Sequence, residues 1–208
     1  MSLGLKENIN TAGYWDSVFT REIKNNKWRR NVLTFGKIRT YLGLRVTAGD
    51  HILDIGCGYG VLLNKLKGLD CRLTGWDISE VAVQEVLRFR NKARCVDFND
   101  YEPNARELFD HVVATEFLEH FENPEIIFDK MYRMARKTVI IAVPNNCMKD
   151  CREHMAVFNI RSMRAMVESY SHQNLSIENF LEEFVYKDDF GKDILSSRPT
   201  LLMIMEKK

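Results

Sequence analysis

No apolar run in the 208-residue sequence is long enough to cross a membrane, and its first residues lack the charged and apolar pattern of a secretory leader. A soluble protein in the cytoplasm is therefore expected. Cysteines number five, an odd count in no disulfide-framework spacing, which fits a reducing compartment. Neither charge dominates: 30 basic residues against 29 acidic ones leave +1, too little for a global attraction to nucleic acid. There is no internal repeat, low-complexity tract or linker to divide the chain, and its length suits one α/β domain with a modest appendage.

One stretch is locally unbalanced. From Arg21 to Arg45 the basic residues Lys24, Lys27, Arg29, Arg30, Lys37 and Arg39 join those two ends against Glu22 alone. Such a run reads first as a solvated helix face and second as a basic cap that attracts an anionic substrate.

What is present centres on His51 to Gly60, HILDIGCGYG. The β-branched and apolar residues up to Ile55, with glycines following at once, read as a buried strand entering a tight turn, and Val61 to Lys67 has the apolar spacing of a short helix. Glycines at 56, 58 and 60 let backbone approach a ligand closely, with a helix N-terminus behind them for an anion. The dinucleotide fingerprint G-x-G-x-x-G is missing, because its last glycine is Val61 here. A second strand, Cys71 to Trp76, ends in Asp77, where a carboxylate can take both hydroxyls of a ribose. Asp77 can equally cap the helix begun near Ser79. A third strand, Arg94 to Val96, ends in Asp97 and Phe98, an acceptor and an apolar face for an adenine.

Asp54-Ile-Gly-Cys-Gly-Tyr-Gly60, Trp76-Asp77-Ile78, Asp97-Phe98, Ala114-Thr-Glu-Phe-Leu-Glu-His120 and Ala142-Val-Pro-Asn145 occur in that order. In these segments the chain resembles the class I S-adenosylmethionine-dependent methyltransferases. The resemblance implies a doubly wound, mostly parallel seven-stranded α/β sheet with an antiparallel last strand, residues 47–208, preceded by a helical cap, residues 1–46. It implies S-adenosyl-L-methionine held by Asp54, Gly56, Cys57, Gly58, Gly60 and Thr115 at the methionine end. Asp77 would hold the ribose, Ile78 one adenine face, and Asp97 with Phe98 the base edge. Two amphipathic helices, Thr11 to Asn26 and Trp28 to Leu44, precede the core. In the family such helices fold over the cofactor mouth, which makes Tyr14 and Trp15 candidate lid residues, with ordinary packing as the other reading.

The second informative stretch is Glu116-Phe-Leu-Glu-His120. If this turn is helical, Glu116, Glu119 and His120 share a face at the carboxyl end of the sheet, where ligands sit in open α/β folds. His154 can approach from beyond the fifth strand. Two Glu and two His suit a divalent metal such as Mg, Mn, Fe or Zn; without a metal, His120 or His154 is the candidate general base. This pattern is similar to two branches of the family, the ubiquinone-biosynthesis O-methyltransferases and the small-RNA 3′-terminal 2′-O-methyltransferases. The first implies a small-molecule hydroxyl as methyl acceptor and the second a ribose hydroxyl of RNA. A non-catalytic module that keeps the fold is the third reading. No N-P-P-Y-type tetrapeptide follows the fourth strand, which argues against exocyclic amines of nucleic acids.

For the remaining elements the spacing predicts a helix capped by Ser79, a strand from Phe109 to Thr115, a helix started by Asn123-Pro124, a strand from Thr138 to Val143, and a helix from Ile160 to Tyr170 capped by Asn159. Two last strands, Phe180 to Tyr186 and Thr200 to Met205, are expected on either side of a loop from Asp188 to Pro199.

Overall fold

The computed structural model describes residues 7–24, 32–146, 151–187 and 193–208. Lys27, Arg29 and Arg30 of the basic stretch, the start of the second expected helix at Trp28, and residues 188–192 lie outside them.

Seven strands form one sheet. β1 (Asp50–Ile55), β2 (Cys71–Asp77), β3 (Lys92–Cys95), β4 (Phe109–Thr115) and β5 (Ala135–Pro144) are parallel, whereas β7 (Asp193–Lys207) runs antiparallel between β5 and the edge strand β6 (His172–Lys187). The spatial order is β3-β2-β1-β4-β5-β7-β6, with β1 and β4 at its centre. The order reverses between β1 and β4, which opens a crevice at the carboxyl ends of those strands. The expected seven-stranded sheet and antiparallel last strand are both present.

Both sheet faces are covered, so the central strands read as continuous apolar runs without alternation. Leu53 and Ile55 turn to one face with Phe128, Met131 and Met134 of α5 (Pro124–Met134) and Met163 of α6 (Ile160–Val167). Ile52 turns to the other, under Ile38 and Leu42 of α2 (Val32–Gly43) and Leu62 and Leu66 of α3 (Val61–Leu66). Phe128, Leu53 and Ile38 are fully buried, and truncating any of them to Ala is expected to cost about 2–5 kcal/mol.

Local chemistry sets most boundaries. Ser79 accepts from Ala82 N–H at the start of α4 (Glu80–Arg88), and Asn159 forms a reciprocal capping box with Ser162. Asn123 departs from its expected role. At ψ 73° its side chain caps nothing, and its backbone carbonyl instead accepts from Ile126 N–H, while Pro124 occupies the first helical turn as the sequence suggests. A tertiary cap was invisible in the sequence: the fully buried Glu182 of β6 accepts from the N–H groups of Leu33 and Thr34 at 3.0 and 2.7 Å, closing the start of α2.

Three corrections concern strands. β3 is Lys92–Cys95, so Val96 already belongs to the following loop, although its N–H still bonds Asp77 O at 2.8 Å. β6 begins at His172, well before Phe180, and β7 begins at Asp193, inside the expected loop. Beyond Pro144↔Thr200 the two pair only with each other, from Leu181↔Pro199 to Lys187↔Asp193. Of that ribbon the side from Phe180 to Tyr186 was expected as a strand, whereas its partner, residues 193–199, shows little hydrophobic alternation and so read as loop.

Three residues in the second half of the basic stretch are tied down. Lys37 pairs with Glu178 at 2.7 Å, Arg45 with Glu206 at 2.6 Å, and Arg39 donates to the Lys65 and Lys67 carbonyls. These contacts fasten α2 to the sheet and suit the solvated-face reading.

Candidate active site

The glycine turn is built by close approach. Gly56, Gly58 and Gly60 have φ of 67°, 50° and 76°, conformations in which other residues are strained. A Cβ on Gly56 would lie 2.5 Å from the Phe117 ring. Gly56 and Cys57 N–H donate to Trp76 O, and Gly58 N–H donates to an Asp77 carboxylate oxygen at 2.8 Å. The other Asp77 oxygen accepts from Ser79 N–H at 2.9 Å. Asp77 thus joins the glycine turn to the start of α4, and the same carboxyl faces a cavity. Burial pushes it up to about 6 against those two hydrogen bonds, with Asp16 adding to the rise. Gly60 lines neither of the two cavities over this turn: it caps the six-residue α3, and a Cβ there would meet Val86 at 3.1 Å.

Two cavities meet above Gly56. The smaller, about 80 Å³, has Asp77, Ile78, Asp97, Phe98 and Asn99 in its wall. The larger, about 280 Å³, is lined by Asp54, Cys57, Gly58, Thr115, Glu119 and His154. Gly56, Glu116 and His120 border both, as do Trp15 and Phe19 of α1 (Ala12–Lys24). Asp54 is 1% exposed and neither of its carboxylate oxygens has a hydrogen-bond partner. Burial, and then the Asp77 charge, push it well above the usual carboxylate range. A cationic ligand placed beside it would favour the ionised form and supply the missing partner. Burial likewise raises the Cys57 thiol, which suits packing over nucleophilic chemistry.

The Glu116 to His120 stretch is not one helical face. Glu116 leaves β4 in the left-handed region at φ 54°, and only Leu118–His120 forms a 3₁₀ turn. Glu116 is therefore set apart, ion-paired with Arg198 of β7. Glu119, His120 and His154 converge, with one potential ligand atom from each within 4.8 Å of the others. Glu119 is 1% exposed, its two oxygens lack hydrogen-bond partners, and burial pushes it up to about 8. His120 lies with Nδ1 3.2 Å from Glu153 O; burial pushes it down to about 4, leaving a neutral ring at neutral pH.

α1 covers the cluster without a buried residue of its own. Trp15 lies edge-on to His120 at 5.1 Å, and Tyr14 O–H donates to the Glu153 carboxylate. Asp16 accepts from Ser79 O–H at 2.5 Å and Val81 N–H at 3.2 Å, while Asn10 donates to the carbonyls of His120 and Glu153. Sequence reasoning singled out Tyr14 and Trp15 but missed Asn10, Asp16, Arg198 and Gly75. Nothing local marks the roles of the first three, whose contacts at the site are with residues at least 60 positions away, and Gly75 sat unremarked inside an expected strand.

Residues 53–141 match a family model described as a methyltransferase domain. The ubiquinone biosynthesis O-methyltransferase of Thiobacillus denitrificans is 30% identical over 95 residues, 43% of this chain and 41% of that protein. The chain spans less than half the length of the curated relatives it matches first. Among solved structures, an S-adenosylmethionine-dependent methyltransferase from Anabaena variabilis superposes with a TM-score of 0.73 at 15% identity, covering 98% of this chain and 97% of that one. The magnesium protoporphyrin IX methyltransferase of Synechocystis, solved with S-adenosylhomocysteine, gives 0.68 at 15% identity, covering 95% and 98%. With the strand order, the glycine turn and the matched segment in agreement, the chain carries a methyltransferase domain with the fold of the S-adenosylmethionine-dependent methyltransferases.

Proposed function

We propose that the protein transfers the methyl group of S-adenosylmethionine to a hydroxyl of a small molecule. The observation that carries this reading is the pair of cavities joined over Gly56, one walled by Asp77, Ile78, Asp97 and Phe98, the other floored by the partnerless carboxyl of Asp54. The residues fit the cofactor: a methionine ammonium is the cation that Asp54 lacks, and each Asp77 oxygen retains a lone pair for a ribose hydroxyl. Ile78 and Phe98 offer apolar faces for the base, and Asp97 an acceptor at its edge. Gly56, Gly58, Cys57 and Thr115 border the methionine end, with Gly60 acting through packing. When bound, S-adenosylmethionine supplies an already activated methyl group.

The protein then has three tasks: alignment of the acceptor, exclusion of water and acceptance of a proton. His120 supports the last. A proton on Nδ1, directed at Glu153 O, leaves Nε2 as the acceptor, and the ring is neutral at working pH. His154, on the same cavity, is the alternative base. Residues 1–46 contribute the lid: α1, through Trp15 and Phe19, covers both cavities, and residues 47–208 supply the cofactor-binding sheet.

A second reading of the same reaction is favoured by the partnerless Glu119 carboxyl. Glu119, His120 and His154 would hold a divalent cation, which would lower the pKa of an acceptor hydroxyl. Glu116 stands outside this set because Arg198 holds it. Ribose methylation of RNA draws less support, since Lys37, Arg39 and Arg45 are engaged within the chain.

Calorimetric titration with S-adenosylmethionine, in chelator and then with Mg or Mn, tests the cofactor; labelled-methyl transfer to catechols against RNA 3′ ends tests the acceptor. Binding weakened at least tenfold by Asp77→Ala is expected, and absence of binding to wild type would overturn the reading. Turnover that ignores chelator and Glu119→Ala alike would remove the metal.

A further inference from the structure

Lys130 is 4% exposed, on a helix whose other buried residues are Ile127, Phe128, Met131 and Met134. An ammonium in such a place is unfavourable unless hydrogen bonds replace its water. Here it donates to two successive carbonyls, Phe98 O and Asn99 O, each at 3.0 Å, and lies 3.5 Å from the exposed Glu102 carboxylate. A methionine would fill the same volume, so the charge answers to something other than the core.

The segment it grips is the wall of the smaller cavity. Asp97 accepts from Asn99 N–H at 2.9 Å and from the Asn99 side-chain amide at 3.1 Å, Val96 N–H reaches Asp77 O, and Tyr101 N–H reaches Asp97 O. The Phe98 ring packs beside Trp76 and Phe117, the residue that crowds Gly56. Backbone bonds thus fasten both ends of the segment, and Lys130 fixes its middle from inside.

We propose that Lys130 is a positioning residue for cofactor recognition: its ammonium holds residues 97–99 in the shape that presents an acceptor and an aromatic face to a purine, and so sets the preference for a 6-amino group. This rests on the reading that the smaller cavity takes adenosine.

The test compares S-adenosylhomocysteine with S-inosylhomocysteine, which has an oxygen in place of the amino group, by calorimetry on wild type, K130M and K130R. Wild type is expected to prefer the adenine compound. K130M should lose about tenfold in affinity for it and far less for the inosine compound, collapsing the preference, while K130R retains part of it. A folded K130M that keeps the wild-type ratio, even if both affinities fall, overturns the proposal, because a purely structural role would weaken both equally. Should K130M not fold, K130Q, whose amide still reaches one carbonyl, is put through the same comparison. Wild type that binds neither compound would defeat the adenosine reading itself; wild type that binds both without preference would defeat the role of Lys130 alone.

Discussion

A methyl group on residue 75 would lie 2.6 Å from the Cys57 sulfur and 2.8 Å from Leu63 Cδ1, so the absent side chain of Gly75 lets the glycine turn settle onto β2. Gly75→Ala should lower stability by about 1–3 kcal/mol through overpacking, read as a shifted urea midpoint. Gly36→Ala is the matched control. It lies inside α2 with nothing within 4 Å of the added methyl, so the same substitution there should be neutral or stabilise by up to about 1 kcal/mol. The contrast marks what single residues disclosed in the sequence. Glycines 56, 58 and 60 were readable because their spacing is itself the signal. Gly75 was not, because its reason is a sulfur atom arriving from the glycine turn. Asp77 allowed two readings, ribose partner or helix cap, and its two oxygens leave room for both.

At the scale of elements, α1 is joined to loops and helix ends by polar contacts, beside the ring contacts of Trp15 with His120 and Phe19 with Tyr59. Replacing Asp16 by Ala removes its acceptor for Ser79 and Val81 at the start of α4. If α1 covers the cofactor, S-adenosylhomocysteine should leave this variant several-fold faster in stopped flow, with little change in the melting temperature. An unaltered release rate would mean that α1 is packing and no lid. Sequence periodicity found α1, α2 and every parallel strand, because buried apolar spacing is a local signal. It failed over residues 193–199, which pair with β6 alone and show little apolar alternation. It also failed at Glu116, where a left-handed backbone breaks the helical spacing that would have joined it to Glu119.

For the whole molecule, the buried site carries a pH signature. The unfolded chain gives up carboxyl protons near pH 4 and histidine protons near pH 6.5. Folded, burial keeps Glu119 protonated up to about 8 and Asp54 well above its usual range, whereas His120 stays neutral down to about 4. Between pH 4 and 6.5 the acids and the histidine act in opposite directions. From pH 6.5 to 8 only the acids still differ, the native state holds more protons than the unfolded one, and stability falls as pH rises. The melting temperature of the ligand-free protein should therefore drop by a few degrees over that interval, on the order set by a domain of this size. Glu119→Gln should flatten the slope, and so should saturating S-adenosylmethionine if its ammonium meets Asp54. In acid the sign reverses: hydrogen bonds from Tyr41 and Asn174 hold Glu206 down to about 2, so its contribution is lost as pH falls from about 4.5 through 2.

Arg198 reaches Glu116 from the part of β7 that has already passed the last pairing with β5. The site is thus bounded on that side by a two-stranded arm that the sheet does not need in order to close. Adding or removing residues in opposed pairs at the arm's far end preserves every register below it, since each strand would change by the same amount. The arm is accordingly a place where length can vary while the cofactor end stays constant.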